Sequence, residues 1–259
     1  MNLRGKFITF EGSEGSGKST QIERLVARLH ENGLETFVTR EPGGTELGEE
    51  IRNLLLHHRA GGAMAAETEL LLFAAARAQL VRERIAPALA AGKVVISDRF
   101  LDSTTVYQGA ARRLAPEAAA RINHFAVGHH LPDLTLLLDV PVEVSHARVR
   151  NRGTGQPDRI EKESAEFFTR VRNGYLALAQ AESRRIAVID STQPLDTVAA
   201  LWNVNVGHGR PEIKRAIVEQ LDKLAYYSTF NGYSNPPSIE LSVLLTEMLA
   251  QEKMAKVFF

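Results

Sequence analysis

The residues with the clearest chemical meaning form one short glycine-rich segment near the start of the chain. They fit the phosphate-binding pattern G-x-x-x-x-G-K-[ST] at every fixed position. Glycines let backbone N–H groups wrap around an anion, and the start of a following helix adds partial positive charge. Lys18 would reach the β and γ phosphates of a nucleotide, and the Ser19 hydroxyl would bind Mg²⁺. We therefore expect a nucleoside triphosphate to bind at Gly12, Ser13, Glu14, Gly15, Ser16, Gly17, Lys18, Ser19 and Thr20.

The elements on either side of this segment agree with that chemistry. The alternating apolar run at residues 6–10 predicts a strand entering the segment, and residues 21–29 have helical spacing. Strand, loop and helix are needed in that order to aim the backbone at a phosphate. A glycine-rich turn without a ligand is the alternative, and the complete pattern weighs against it.

A second candidate is the pair Asp98-Arg99, which follows a predicted strand at residues 94–97. Ligands of α/β proteins bind beyond the carboxyl ends of strands. Asp98 would lie near the water shell of the metal, and Arg99 beside the transferring phosphate. A surface ion pair is the alternative for these two residues. A GTPase is not favoured, because neither an N-K-x-D motif nor an aspartate followed by x-x-Gly is present.

Strand and helix patterns alternate through residue 200, which is typical of an α/β fold with a parallel sheet. We predict strands at residues 7–10, 35–39, 94–97, 134–139 and 185–190. The clearest further helices are predicted at residues 66–91, 142–151 and 163–182. Pro87 lies inside the first of these, so a kink or local break is expected there.

Composition limits the kinds of partner. The chain has 259 residues, of which 44% are hydrophobic and 24% charged, as in soluble globular proteins. Its 31 basic side chains equal its 31 acidic ones, so no net field draws it to nucleic acid or to an anionic membrane. It has no cysteine, which excludes disulfides, thiolate metal sites and a cysteine nucleophile. With no signal peptide or membrane-spanning run recognisable, we expect a cytoplasmic protein.

Further motifs make residues 1 to about 200 resemble the bacterial thymidylate kinases. They lie in order at residues 10–20, 39–45, 72–79, 98–100, 103–104, 107–109, 132–135 and 158–161. The resemblance implies a P-loop nucleoside monophosphate kinase fold, with a five-stranded parallel sheet flanked by helices. It implies transfer of the γ-phosphoryl group of ATP to dTMP with Mg²⁺, and a homodimer packed through helices. The apolar segment 70–76 would serve that interface, although a buried core helix would have the same pattern. A kinase for another nucleoside monophosphate, or a nucleotide-binding module without catalysis, is the alternative.

The resemblance also implies roles for the residues around dTMP. Phe73 would stack on the thymine ring while Arg77 donates to its carbonyl edge, although a core residue and a surface neighbour at i, i+4 would have the same spacing. Arg40 and Arg99 would hold the acceptor phosphate. Glu14 would face the sugar 3′-hydroxyl. Ser103, Thr104, Tyr107 and Gln108 would belong to a segment that closes over the nucleotide. Of these, Tyr107 would exclude a 2′-hydroxyl. Helix-cap or surface roles are the alternative for all four.

The glycine-rich stretch 151–159 resembles the lid that folds over ATP. In the family that the chain resembles, the catalytic basic residue lies either in the phosphate loop or in the lid. Because the phosphate loop here contains no basic residue before Lys18, the resemblance implies that the lid supplies it, with Arg152 and Arg159 as the candidates. Asp158 is interpreted as a structural partner, and Arg148 and Arg150 as exposed, solubilising charges. The predicted catalytic set is Lys18, Asp98, Arg99, Arg152 and Arg159, with Ser19 and Asp98 at the metal.

Residues 201–259 differ from the rest of the chain. Two stretches, 201–210 and 226–230, resemble an N-terminal portion of a class III pyridoxal-phosphate-dependent aminotransferase. The Schiff-base lysine of that family lies beyond the resemblance, so we expect no pyridoxal phosphate and no catalysis in this mostly helical appendage. A native extension that shares only turns and aromatic residues is the alternative. The predicted domains are therefore residues 1–200 and 201–259.

Overall fold

The centre of the fold is a sheet of five parallel strands. The structure, a computed structural model, describes residues 3–57, 64–112, 114–151 and 158–193. The strands run side by side in the order β2-β3-β1-β4-β5. They are β1 (Phe7–Glu11), β2 (Thr36–Arg40), β3 (Val94–Asp98), β4 (Leu134–Asp139) and β5 (Ile186–Asp190). Each predicted strand agrees within one residue at either end, and the prediction of a five-stranded parallel sheet is confirmed.

The central strands are apolar runs because both faces of the sheet are covered. All five residues of β1 are buried, as are the first four of β3. Alternate residues supply opposite faces, so Phe7 and Val95 belong to one core cluster and Ile8 and Ile96 to another. At the carboxyl edge of the sheet, Asp98 lies opposite both Phe10 and Arg40. This register brings the ends of β1, β2 and β3 to one place.

Helices flank the sheet on both sides. Two of them have side-chain caps, since Thr45 accepts from Gly48 N and Ser164 accepts from Phe167 N. The sequence patterns do not delimit the second, fifth and sixth helices. The helices are α1 (Lys18–Glu31), α2 (Glu46–Leu56), α3 (Ala66–Leu80), α4 (Ala86–Ala90), α5 (Leu101–Thr104), α6 (Pro116–Val127), α7 (Val142–Asn151) and α8 (Ala165–Ala181).

The expected break near Pro87 is confirmed. A π-helical segment, Val81–Ile85, joins α3 to α4, and Pro87 lies in the first turn of α4. Proline has no N–H to donate and its ring clashes with the carbonyl four residues earlier. A wider π-helical turn relieves that clash without ending the helical path. A second π-helical segment, Thr105–Ala111, follows α5.

Several predictions fall on residues that the structure does not describe. They include the helical appendage at residues 201–259, the domain boundary at 200 and the lid residues 152–157, all of which lie outside the described residues. Within the described ranges, no helix is both long and apolar enough to span a membrane.

Candidate active site

The predicted phosphate loop joins the end of β1 to the start of α1 and packs tightly against its neighbours. Gly12 has φ 134°, and a Cβ there would lie 2.5 Å from the Leu138 carbonyl oxygen. Gly15 has φ 72°, and a Cβ there would lie 2.7 Å from the Ser145 carbonyl oxygen. A side chain at either position would therefore clash with backbone as well as strain φ. The loop needs glycine at both positions.

Three side chains hold the outer side of this loop by its carbonyl groups. Ser145 Oγ donates to Glu14 O at 2.6 Å, Arg148 Nη1 donates to Gly15 O at 3.3 Å, and Ser191 Oγ donates to Ser16 O. We call Ser145, Arg148 and Ser191 the carbonyl brace. In a trans peptide the N–H of the next residue points away from the C=O. The brace therefore turns the N–H groups of Gly15 and Gly17 to the opposite side, the side on which an anion would bind, while the Ser16 N–H donates to Ser13 O at 3.3 Å within the loop.

The brace corrects one sequence prediction. Arg148 is not a freely solvated charge, because it is half-buried and also donates from Nη2 to Ser191 O at 2.9 Å. Its helix, α7, has the predicted bounds, and the helix places it against the loop rather than in solvent. Arg150 is exposed, as expected.

Lys18 is held inside the loop that it would serve. Its Nζ donates to Gly12 O and Ser13 O, both at 3.0 Å, and the residue is buried. Burial, followed by the nearby charge of Arg99, lowers the pKa of the Lys18 ammonium to about 8. A phosphate oxygen at this position would give the ammonium a direct negative partner in place of the two carbonyl oxygens.

Ser19 and Asp98 form the candidate metal position. Ser19 Oγ donates to Asp98 Oδ2 at 3.4 Å. Neighbouring ligands of an octahedral Mg²⁺ ion lie about 3 Å apart, because the bonds are about 2.1 Å long. A hydroxyl and one carboxylate at this spacing fit Mg²⁺, which takes few protein ligands and completes its shell with phosphate and water. Elsewhere in the described ranges, no cluster of three or more His, Asp or Glu side chains suited to a metal is found.

Arg99 and Glu14 form an ion pair between the loop and the rest of the site. Arg99 Nη2 lies 2.7 Å from Glu14 Oε1, and the Tyr107 hydroxyl donates to Glu14 Oε2 at 3.2 Å. Burial alone would raise the pKa of Glu14, but the charges of Arg99 and Lys18 outweigh it and lower that pKa. Arg99 has φ 70°, a left-handed conformation that costs a non-glycine residue on the order of 1 kcal/mol. The sheet edge thus holds Arg99 in a strained conformation aimed at Glu14.

A cavity of about 250 Å³ extends from this ion pair. Of the predicted site residues it brings together Glu14, Gly15, Gly17, Lys18, Ser19, Arg40, Phe73, Asp98, Arg99, Ser103, Tyr107 and Gln108. Seven further residues line it that the sequence did not single out as ligands: Glu41, Pro42, Arg52, Leu56, Asp158, Ile160 and Glu161. The cavity therefore joins the phosphate loop to a half-buried aromatic ring and several polar side chains.

Arg77 lies behind the cavity wall and does not line it. The residue is 1% exposed, and its Nη2 donates to Glu41 Oε2 at 2.6 Å and to Thr104 Oγ1 at 2.9 Å. Its Nη1 donates to Asn123 Oδ1 at 2.8 Å. Burial raises the pKa of Glu41 to about 7, although the charge of Arg77 opposes that rise. Arg77 is therefore a core residue rather than a surface neighbour of Phe73.

The two ends of the predicted lid are only partly described. Arg152 lies outside the described residues. Arg159 does not line the cavity, because its Nε donates to Leu55 O at 2.9 Å and its Nη2 pairs with Glu69. Asp158 accepts from Ile160 N at 2.8 Å and from Glu161 N at 2.9 Å, as a structural partner would.

Comparison with known proteins places this geometry in a family. The family model described as thymidylate kinase matches residues 10–201, about three quarters of the chain. The chain belongs to the thymidylate kinase family. It is 51% identical to the thymidylate kinase of Methylobacillus flagellatus over 196 residues, which are 76% of this chain and 94% of that protein. It is 52% identical to the thymidylate kinase of Geobacter sulfurreducens over 199 residues, which are 75% of this chain and 93% of that protein. Residues 202–259 lie beyond the family match, and their resemblance to an aminotransferase stays a prediction.

Buried acidic residues are the part of this site that sequence reasoning missed. Glu11, which is 0% exposed, accepts from Phe100 N at 2.8 Å, Ser103 Oγ at 2.6 Å and Tyr175 Oη at 2.7 Å. Burial, followed by the charge of Asp102, raises the pKa of Glu11. The available signal in the sequence was an acidic residue at the end of a mostly apolar strand, directly before the phosphate loop. Glu11 anchors the segment after β3, and with it Arg99 and Ser103.

Proposed function

We propose that the chain phosphorylates dTMP to dTDP with ATP as the phosphoryl donor. The observation that carries the proposal is the cavity that joins Lys18 and Ser19 to Phe73 across the Arg99–Glu14 ion pair. Its two ends match what a nucleotide kinase needs, a triphosphate loop and a pocket for a second nucleotide. Relatives that share about half of their residues with it over more than 90% of their own length are thymidylate kinases.

The donor end is proposed to bind ATP through the residues 12–20. The N–H groups of the loop would bind the phosphates, and Lys18 would contact the β and γ oxygens. Ser19 and Asp98 would hold Mg²⁺, directly or through water. A metal held by these two side chains would supply positive charge to neutralise the phosphates.

The acceptor end is proposed to bind dTMP. Phe73 would stack on thymine, Arg40 and Arg99 would hold the acceptor phosphate, and Glu14 and Tyr107 would face the sugar. Ser103 and Gln108, which line the cavity, would contact the same nucleotide, while Thr104 would act through Arg77. Arg77 lies behind the cavity wall, so its role in the proposal is to hold Glu41, which lines the cavity, through Nε and Nη2.

Catalysis is proposed to consist of alignment and charge neutralisation, which is what phosphoryl transfer requires. Arg99 would align donor and acceptor, and Lys18 would neutralise charge on the transferred group. Of the two lid candidates, Arg159 is engaged by Glu69, which favours Arg152 as the arginine that reaches the transition state.

An ADP-release assay with a panel of acceptors tests the proposal. We expect dTMP to be preferred over dCMP, CMP and AMP by about 100-fold or more in kcat/KM. Equal activity on dTMP, CMP and AMP would overturn the assignment. Binding of ATP and dTMP in calorimetry without any turnover would instead indicate a binding module.

The assembly is proposed to be a cytoplasmic homodimer. Leu71 on α3 is 56% exposed and Phe125 on α6 is 81% exposed, and the two helices pack side by side. Large exposed apolar side chains on adjacent helices are typical of interaction surfaces. Sedimentation that shows only a monomer at micromolar concentration would overturn the dimer.

Residues 201–259 are proposed to add no chemistry. The basis is the sequence alone, which offers no Schiff-base lysine in a cofactor pocket. A chain ending at residue 200 should keep the full kcat for dTMP. A cofactor absorbance band that survives dialysis of the whole chain, and is lost in the shortened one, would contradict this.

A further inference from the structure

One buried carboxylate has no role in the reaction described above. Glu69 on α3 is 1% exposed and lies one helical turn before Phe73. Its Oε1 accepts from Gln108 Nε2 at 2.7 Å and from Arg112 Nε at 3.3 Å, and its Oε2 pairs with Arg159. A carboxylate is rarely buried unless its charge is matched, and here two arginines match it.

The charge of Glu69 determines how its carboxylate can hydrogen-bond with the neighbouring Gln108 side chain. Burial would raise the pKa of Glu69, but the hydrogen bond from Gln108 and the charges of Arg112 and Arg159 lower it. An ionised carboxylate only accepts hydrogen bonds. The side-chain nitrogen of Gln108 must therefore face Glu69, and its oxygen must face away.

Gln108 thus offers one defined polar atom to a ligand. The residue lines the cavity that contains Phe73, whereas Glu69 does not. Among the described residues no group donates to Gln108 Oε1, although its Nε2 is engaged. The free oxygen is an acceptor and calls for a donor on the ligand.

We propose that Glu69 is a positioning residue for nucleobase selection, fixing the Gln108 amide so that its oxygen accepts from the ring N–H of thymine. The inference rests on the proposed function. Thymine carries a proton on N3, whereas N3 of cytosine is unprotonated and would set a lone pair against the Gln108 oxygen. Glu69 therefore disfavours cytosine without touching the base.

The substitution Glu69→Gln tests this directly. A glutamine at 69 can donate as well as accept, so the Gln108 amide is free to turn and present its NH₂ group to the base. We expect the kcat/KM ratio of dTMP over dCMP to fall by about 10-fold or more, because a mispaired buried polar group is costly. The KM for ATP should stay within about twofold, since the phosphate loop is not involved. The matched control is Glu67→Gln on the exposed side of the same helix, which should leave the ratio unchanged.

A double-mutant cycle separates positioning from general support of the fold. Gln108→Leu alone should lower the same ratio, and Glu69→Gln added to it should change the ratio no further. Equal losses of kcat/KM for dTMP and dCMP in Glu69→Gln would overturn the proposal and indicate a structural anchor.

If Glu69→Gln does not fold, an unchanged kcat/KM ratio in Gln108→Leu overturns the proposal by itself. If the unaltered chain does not prefer dTMP over dCMP, the proposed function has failed; if it does and Glu69→Gln keeps that preference, only this inference has failed.

Discussion

The phosphate loop and the nucleobase pocket lie in one cavity but are held in different ways. The loop is fixed from outside mainly by the carbonyl brace, which donates to backbone oxygens, and it has one side-chain ion pair in its described contacts, Glu14 with Arg99. The pocket is fixed by buried ion pairs, Arg77 with Glu41 and Glu69 with Arg112 and Arg159. Backbone N–H groups bind phosphate, so the peptide planes must be oriented there. Side chains select a base, so their charged and amide groups must be anchored.

This difference predicts that the two ends fail in different ways. Damage to a buried ion pair leaves a charge without a partner, which lowers the stability of the whole fold. Damage at the phosphate loop removes a contact to the nucleotide and leaves the core intact. Substitutions in the nucleobase pocket should therefore change mainly the free energy of unfolding. Substitutions at the phosphate loop should change mainly the kinetic constants with ATP.

The largest stability effect is expected for Arg77→Met, which leaves Glu41 buried without its cation. We expect the free energy of unfolding to fall by about 3–5 kcal/mol, measured by urea denaturation. The matched control is Arg28→Met, because Arg28 pairs with Glu31 at 3.0 Å on the surface. That change should cost about 0.5 kcal/mol or less. Similar losses in the two variants would remove the distinction drawn between the two ends.

The largest kinetic effect is expected for Lys18→Met. We expect kcat to fall by about 100- to 1,000-fold, because a positioned charge facing the transferred phosphate is lost. The free energy of unfolding should not fall, since Lys18 is a buried cation whose partners here are two carbonyl oxygens. Lys93→Met, at a surface lysine that pairs with Glu35, is the control and should keep full kcat. A Lys18 variant with a lower free energy of unfolding and an unchanged kcat would contradict the expectation that the phosphate loop affects kinetics rather than stability.

A smaller kinetic effect is expected for Ser191→Ala, which removes one member of the carbonyl brace. The loss of a hydrogen bond of about 1 kcal/mol should raise the KM for ATP by about 3- to 10-fold. The KM for dTMP should stay within about twofold, because Ser191 does not line the cavity. Ser183→Ala, at an exposed serine before β5, serves as the control. Equal increases in both KM values would show that the brace is not specific to the donor end.

The fold and the phosphate loop were predictable because their signals are local. Buried parallel strands read as short apolar runs, and α7 begins and ends as its spacing indicates. The phosphate loop is a contiguous motif, so its geometry could be expected from eight neighbouring letters. Helix α2 was not delimited, since its N-cap Thr45 follows a turn whose glycines obscure the start of the helical pattern.

The anchors of the nucleobase pocket were not predictable because their partners are distant in sequence. Arg77 was singled out for the base, but its contacts come from residues 41, 100, 104 and 123. Glu69 could have been noticed, since i, i+4 spacing places it on the same helical face as Phe73. Its partner Gln108 lies 39 residues away, and no local pattern joins the two. Arg148 was misjudged for the same reason, because the loop that it braces is 133 residues earlier.

The smallest effect concerns pH and separates the two ends most cleanly. The pKa of Glu69 is lowered from its ordinary value of 4.5, so on acidification the unfolded chain takes up this proton before the folded chain does. The stabilisation that comes from the charge of Glu69 is therefore complete above pH 4.5 and is lost as pH falls through the lower, folded-state pKa. The difference in unfolding free energy between the unaltered chain and Glu69→Gln should be constant from pH 8 to 6 and shrink towards pH 4. Ser191→Ala is the matched comparison, because Ser191 makes a neutral hydrogen bond whose contribution should not change over that range. Urea denaturation of the three proteins at each pH measures both differences, and a pH-dependent difference for Ser191→Ala would show that the brace, too, is coupled to a titrating group.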